Sequence, residues 1–316
     1  GLGDVYKRQI FVTGLPRSGT TFLFNLLALD KNHRSPKYWE IMSPLPLVKT
    51  DFDIKKRQWK INAELKFART IIPKLRYMHH IRAQTPEECE LLATINVRSF
   101  VYMSMANVPE YVEYLKDCSF NSVFAWHKKF FQMLELSGRP KRWLLKDPSH
   151  IGHIPEILST YPNAKFINIH RDPKESIASF CSLAKNIRSA FSKNVNPKEI
   201  GDVILDFWQH SLQKGIKAKQ NLSSDQIIDI SFKDFIEDAF DRELDGSILT
   251  FDDPSKDPKW SFAKVNPESN FVEQVAEKNP ISDLATVGIY YFKRGSDFIE
   301  AAIEMVLNKE FVYNEY

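Results

Sequence analysis

A short run of β-branched and aromatic residues, Ile10-Phe11-Val12-Thr13, passes without a break into Gly14-Leu15-Pro16-Arg17-Ser18-Gly19-Thr20-Thr21 and on to the helical pattern Thr20 to Leu29. A strand, a glycine-bracketed loop and a helix start make an anion cradle, because backbone N–H groups converge there and the helix dipole favours negative charge. Gly14 and Gly19 permit the tight turn and a close phosphate approach. Thr20 and Thr21 add hydroxyl donors in the first helical turn, and Arg17 supplies a cation inside the loop. The two glycines are spaced as in the phosphate loop of nucleoside-triphosphate enzymes, yet the lysine that should follow the second is Thr20. No magnesium-holding carboxylate can be assigned further on. The loop is expected to hold a phosphate that is not that of ATP or GTP.

Beyond this junction, strands alternate with helical patterns. Trp143–Lys146 reads as a second strand with a helix from about Ile151 to Tyr161, and Lys165–His170 as a third with a helix from about Lys174 to Asn186. A further helix is expected near Ile200 to Gln220, a strand at Ile227–Ser231 and a helix at Lys233–Phe240. Such alternation predicts an α/β fold, a P-loop-type parallel sheet flanked by helices. The aromatic-rich stretch from Tyr38 to Phe131 reads as a helical insertion, and the chain after Asp245 as a small, separate α+β fragment of short strands and turns.

Strand Lys165–His170 ends in Arg171-Asp172-Pro173, with Ser179 eight residues after the arginine on the next helix. An arginine at the carboxyl end of a strand lies where open α/β sheets bind ligands. Its guanidinium fork and a nearby hydroxyl suit a phosphate dianion. Between the two motifs, Lys146 ends its own strand within Trp143-Leu144-Leu145-Lys146-Asp147-Pro148.

With these three pieces in order, residues Ile10 to about Phe240 resemble the sulfotransferases that use 3′-phosphoadenosine-5′-phosphosulfate (PAPS). The segment Gly14, Pro16, Arg17, Ser18, Gly19, Thr20, Thr21 matches that family's 5′-phosphosulfate loop. The resemblance implies that PAPS is the co-substrate and that Arg17 contacts its 5′-phosphosulfate. Arg171 and Ser179 would then grip the 3′-phosphate, and Lys146 would reach the transferring sulfuryl group. It further implies attack by a hydroxyl or amine of a small-molecule or glycan acceptor. Two residues are candidates for the base that takes the acceptor proton. Glu40, in Tyr38-Trp39-Glu40, comes first, since some family members carry a glutamate roughly that far beyond the loop. His150 comes second, its ordinary titration range being suitable, although family members with a catalytic histidine have it where this chain has Pro148. Glu87 and Glu88 read as acidic residues at a helix N-terminus.

The remaining stretches carry other expectations. Residues 1–9, GLGDVYKRQ, read as an artefactual tail outside the fold. The chain from Gly246 to Tyr316 resembles sugar-phosphate nucleotidyltransferases around Trp260–Val265, Val275–Pro280 and Ala285–Phe292, which would make Glu277, Lys278 and Gly288 pocket residues. That family's glycine-rich nucleotide loop is absent, so the segment reads as a fragment fused to a sulfotransferase domain (10–240) that stops early. A net charge of +3 over 316 residues gives no reason to expect a nucleic-acid partner. Cys89, Cys118 and Cys181 are odd in number and far apart, and His79 and His80 lack ligand spacing, so neither disulfides nor a metal are expected. With no apolar run of membrane-spanning length, a cytoplasmic location is expected. Two alternatives stay open: a sugar-phosphate nucleotidyltransferase fragment, and a phosphate-binding module without catalysis.

Overall fold

The computed structural model describes residues 9–30, 32–48, 50–71, 81–136, 142–237, 246–253, 256, 260–266, 271–276 and 279–292. The chain divides into two compact units, Gly1–Phe232 and Lys233–Tyr316.

The first unit is built on a parallel sheet of five strands. These are β1 (Ile10–Thr13), β2 (His33–Arg34), β3 (Arg142–Lys146), β4 (Lys165–His170) and β5 (Ile227–Ser231), in the spatial order β2-β3-β1-β4-β5. In the register, Val12 lies opposite Lys146 on one side and Ile167 on the other, so β1 and β3 end within a residue of each other while β4 runs on to His170. Parallel strands covered on both faces need apolar side chains in both directions. Phe11, Val12, Leu144, Leu145 and Ile169 are accordingly buried to 1% exposure or less. The two-residue β2 has no counterpart among the strands expected from sequence, being too short to show alternation.

Helices follow each strand. In chain order they are α1 (Thr20–Leu27), α2 (Tyr38–Met42), α3 (Asp51–Ile71), α4 (Glu90–Thr94), α5 (Val101–Met105), α6 (Pro109–Asp117) and α7 (Asn121–Glu135). Then come α8 (Ile154–Thr160), α9 (Pro173–Phe191), α10 (Pro197–Lys219) and α11 (Phe232–Glu237). The insertion is thus helical, made of α2 to α7. Proline at the first turn and a capping side chain mark where α9 and α10 begin: Asp172 accepts from the Lys174 amide at 2.8 Å and Asn196 from the Lys198 amide at 3.0 Å. The helix expected from Ile151 starts as a 3₁₀ turn at Pro148–His153, whose first amides are met by Asp147, and becomes α-helical only at Ile154. No helix among the described residues is long and apolar enough to cross a membrane.

One core cluster joins the sheet to the helices. Phe11, Trp143, Leu145 and Phe166 pack with Phe124, Phe130 and Phe131 of α7 and with Phe207 and Trp208 of α10. Each large side chain so buried stabilises the fold by roughly 1.5–3 kcal/mol.

The second unit is an antiparallel sheet of β6 (Gly246–Asp252), β7 (Phe262–Val265), β8 (Val272–Ala276) and β9 (Leu284–Phe292), ordered β6-β9-β7-β8. Phe262, Ala263 and Ala285 are buried within it. Gly288 lies on β9, whereas Glu277 and Lys278 fall outside the described residues.

Candidate functional site

The loop between β1 and α1 is shaped by its neighbours. Gly14, at φ 146°, lies so close to β4 that a Cβ there would stand 2.1 Å from the Ile169 carbonyl oxygen. Gly19, at φ 95°, leaves room for the Phe232 ring, which a Cβ would meet at 2.5 Å. Arg17 also has a positive φ, 68°. Ser18 is buried, and its hydroxyl donates to the Leu15 carbonyl at 2.7 Å, bracing the turn from inside. Pro16 is buried too. The Thr13 hydroxyl donates to the Asp147 carbonyl at 3.1 Å and so ties the loop's start to the end of β3.

Two groups of side chains meet at this loop. On the β4 side, Arg17 Nε donates to the Ser179 hydroxyl at 3.2 Å, and Arg171 Nη1 donates to the Arg17 carbonyl at 3.4 Å. Arg171 is also paired with Glu175 at 2.7 Å and stacks over Phe232, 4.8 Å from the ring centre. Asn168, His170, Arg171 and Lys219 line a cleft alongside. On the β3 side, Lys146 Nζ donates to the Thr21 hydroxyl at 3.0 Å and forms an ion pair with Glu88. Thr20, one residue earlier, is buried at the start of α1.

Glu88 is the residue the sequence did not single out. Two carboxylates after Pro86 read as ordinary helix-start charge, and nothing local to the chain marks one of them as a partner of Lys146. Tertiary contact makes the pairing: the Cys89 amide donates to the Lys146 carbonyl at 2.9 Å, which draws the segment before α4 against the end of β3. Buried carboxylates crowd there. Burial, and next the neighbouring Glu88 charge, pushes Glu87 up to about 7 and Asp147 up to about 6. Burial, with Asp147 next, holds Glu90 well above the ordinary carboxylate range.

The two candidate bases occupy different settings. Glu40 is buried, with one oxygen 2.7 Å from Arg34 Nη2 and the other accepting the Lys37 amide at 2.8 Å, which caps α2. Arg34 in turn covers the Trp143 ring at 4.6 Å. The α2 start lies against the Glu87 segment, through a bridge between Lys37 and Pro86 and the Glu87 amide's bond to the Pro36 carbonyl at 2.9 Å. His150 lies instead in the aromatic core, 5.1 Å from the Phe11 ring and 6.0 Å from Phe124. Burial, and next the nearby His127, holds its imidazole well below the ordinary histidine range.

A sequence model of the sulfotransferase family matches residues 9–242, which take in β1 to α11 and every side chain just described. The chain belongs to the sulfotransferase family. Among its relatives are the omega-hydroxy-beta-dihydromenaquinone-9 sulfotransferases Stf3 of Mycobacterium bovis and Mycobacterium tuberculosis, each 29% identical over 178 residues, or 52% of this chain and 42% of theirs. The chain therefore spans less than half the length of these curated relatives. The crystal structure of sulfotransferase STF1 from M. tuberculosis H37Rv is similar, with 30% identity, a TM-score of 0.68 and coverage of 76% of this chain and 66% of that one. Sulfotransferase STF9 from Mycobacterium avium superimposes with a TM-score of 0.64 at 25% identity, over 76% of this chain and 63% of its own. These likenesses lie in the α/β fold of the parallel sheet and its flanking helices.

Proposed function

We propose that this chain moves a sulfuryl group from PAPS to a hydroxyl or amine of a small-molecule or glycan acceptor. The observation that carries the reading is the convergence of Arg17, Ser179 and Arg171 on one face of the Gly14–Thr21 loop, with Lys146 and Thr21 on the other. In this reading Arg171 and Ser179 hold the 3′-phosphate that separates PAPS from ordinary adenylates. Arg17 and the loop amides hold the 5′-phosphosulfate, with Gly14, Pro16, Ser18 and Gly19 shaping the turn and Thr20 and Thr21 donating to the phosphate.

Sulfuryl transfer is mainly positioning and charge stabilisation. The acceptor oxygen or nitrogen forms a bond to sulfur while the bond from sulfur to the bridging oxygen breaks, and 3′,5′-adenosine bisphosphate leaves with that electron pair. Lys146 and Arg17 stabilise the charge that develops on the bridging oxygen. The acceptor proton passes to a carboxylate. Glu40 is the base in this proposal, with Arg34 compensating its charge, and Glu88 is a positioning residue that holds the Lys146 ammonium until donor binds. The core setting of His150 favours a structural role for it over the second-candidate role as base.

Isothermal titration of the full chain with 3′,5′-adenosine bisphosphate and with AMP tests the donor assignment. The bisphosphate should bind at least about tenfold more tightly, one charge-assisted contact being enough for that difference. Equal affinities would remove the PAPS reading, and tight binding without turnover on any acceptor would leave a phosphate-binding module.

Resemblance of Gly246–Tyr316 to sugar-phosphate nucleotidyltransferases supports a second reading, in which that segment derives from a different family. If so, limited proteolysis between the units should leave bisphosphate affinity unchanged. A large loss of affinity on cleavage would count against it.

A further inference from the structure

We propose that Cys89, His127 and His150 form a structural site for a divalent metal ion of the zinc type, set in the core directly behind Lys146. The three come from separate parts of the chain: the residue before α4, the middle of α7, and the 3₁₀ turn after β3. One ligating atom from each lies within 4.8 Å of the others, and all three residues are buried. Two imidazole nitrogens and a thiolate sulfur are a donor set zinc takes readily.

The unpaired nitrogens carry the argument. His127 Nε2 and His150 Nδ1 are buried with no hydrogen-bond partner. Leaving such a group alone in the core is unfavourable, and a metal ion is an acceptor for lone pairs of this kind. The other nitrogen of His127 is within 2.8 Å of the Tyr161 hydroxyl. If it donates its proton there, Nε2 is left with its lone pair exposed, and the ring is oriented as outer-shell partners orient metal-binding histidines. Phe11, Phe124 and Phe131 surround the cluster, with Phe131 4.6 Å from His127, and exclude water from it.

Size and charge are compatible with an ion. Bonds of about 2.0–2.1 Å to nitrogen and about 2.3 Å to sulfur imply shorter donor separations than the widest here, so occupation draws the three inward. Binding displaces the Cys89 thiol proton to solvent, and the net charge of the ion with its thiolate is then positive. Asp147, which caps the turn carrying His150, places a carboxylate beside that charge. An ion here clamps the segment before α4, helix α7 and the turn after β3, which carry Glu88 and adjoin Lys146. Sequence spacing could not show this, since the ligands are far apart along the chain, and the expectation of no metal came from that spacing.

The test is elemental analysis of the full chain, expressed with zinc supplementation and dialysed against a weak chelator. About one zinc per chain is expected. Chain expressed with cobalt should show a thiolate-to-cobalt charge-transfer band, lost in Cys89→Ser. Zinc below about a tenth of an equivalent in the wild-type chain would overturn the site. So would a cobalt spectrum without the thiolate band. The wild-type readings decide the matter even if Cys89→Ser fails to fold. Because activity is not read, failure here leaves the PAPS reading untouched.

Discussion

The two sides of the phosphate loop are built differently. At the end of β3, Lys146 has 1% of its side chain exposed and is held by Glu88 and the Thr21 hydroxyl. At the end of β4, Arg171 keeps 35% exposure, stacks on a ring and pairs with a solvated glutamate, Glu175 of α9. A desolvated ammonium in fixed position interacts strongly with charge that develops beside it, and needs no reorganisation during reaction. An exposed guanidinium can exchange Glu175 for a phosphate at little cost. Under the proposed function, the difference implies a division of labour, with rate governed from the β3 side and donor selection from the β4 side.

The largest effect should come from Glu40→Gln, which removes the proposed base. Turnover should fall by about two to four orders of magnitude while affinity for 3′,5′-adenosine bisphosphate is retained. Should His150→Phe produce that loss with its thermal stability intact, and Glu40→Gln almost none, the base assignment reverses.

Lys146→Ala should follow, with kcat lowered by about two to three orders of magnitude and donor KM little changed. If it raised KM and spared kcat, the proposed division would collapse, because the buried cation would then be a binding group.

Arg171→Ala should do the opposite: donor KM raised by about 10–100-fold, kcat within a few-fold of wild type, and the preference for the bisphosphate over AMP erased. Retention of that preference would place the 3′-phosphate elsewhere.

These residues differ in how far the sequence revealed them. Strands β1, β4 and β5 were legible to the residue, because apolar runs bounded by turn residues specify them. Arg17, Arg171 and Ser179 stood out because their motifs are contiguous. Glu88 did not, because its partner is set by a backbone bond from Cys89 to β3 across a long sequence separation. Glu40 was legible as a residue, but its engagement with Arg34 depends on the two-residue strand β2, which has no periodicity to read. The cysteine–histidine cluster was hidden for the same reason as Glu88: three packing events, not one motif, create it.

The smallest effect lies at the sheet edge, where Asp229 of β5 bonds Asn168 and Lys219 beside the cleft. Burial raises the Asp229 carboxyl, but hydrogen bonds from Asn168 and Lys219 outweigh it and hold the group below its ordinary value. Its contribution is therefore present above the carboxylate range and is lost as pH falls through the lowered folded value. Asp229→Asn should lower stability at neutral pH by no more than about 1 kcal/mol, and chemical denaturation should show the gap to wild type closing below about pH 4. Kinetic constants should change by no more than a few-fold.

Arg17 has a backbone that L-residues seldom adopt, at φ 68°. Holding a side chain there costs about 1–2 kcal/mol, a cost glycine would avoid. Selection for heat resistance alone would therefore tend to replace this residue, giving a protein that melts later and, under the proposed function, no longer grips its donor. On that reading the arginine marks a position where thermostability and turnover are in direct conflict, so a programme to stabilise this protein should exclude it from the library at the outset.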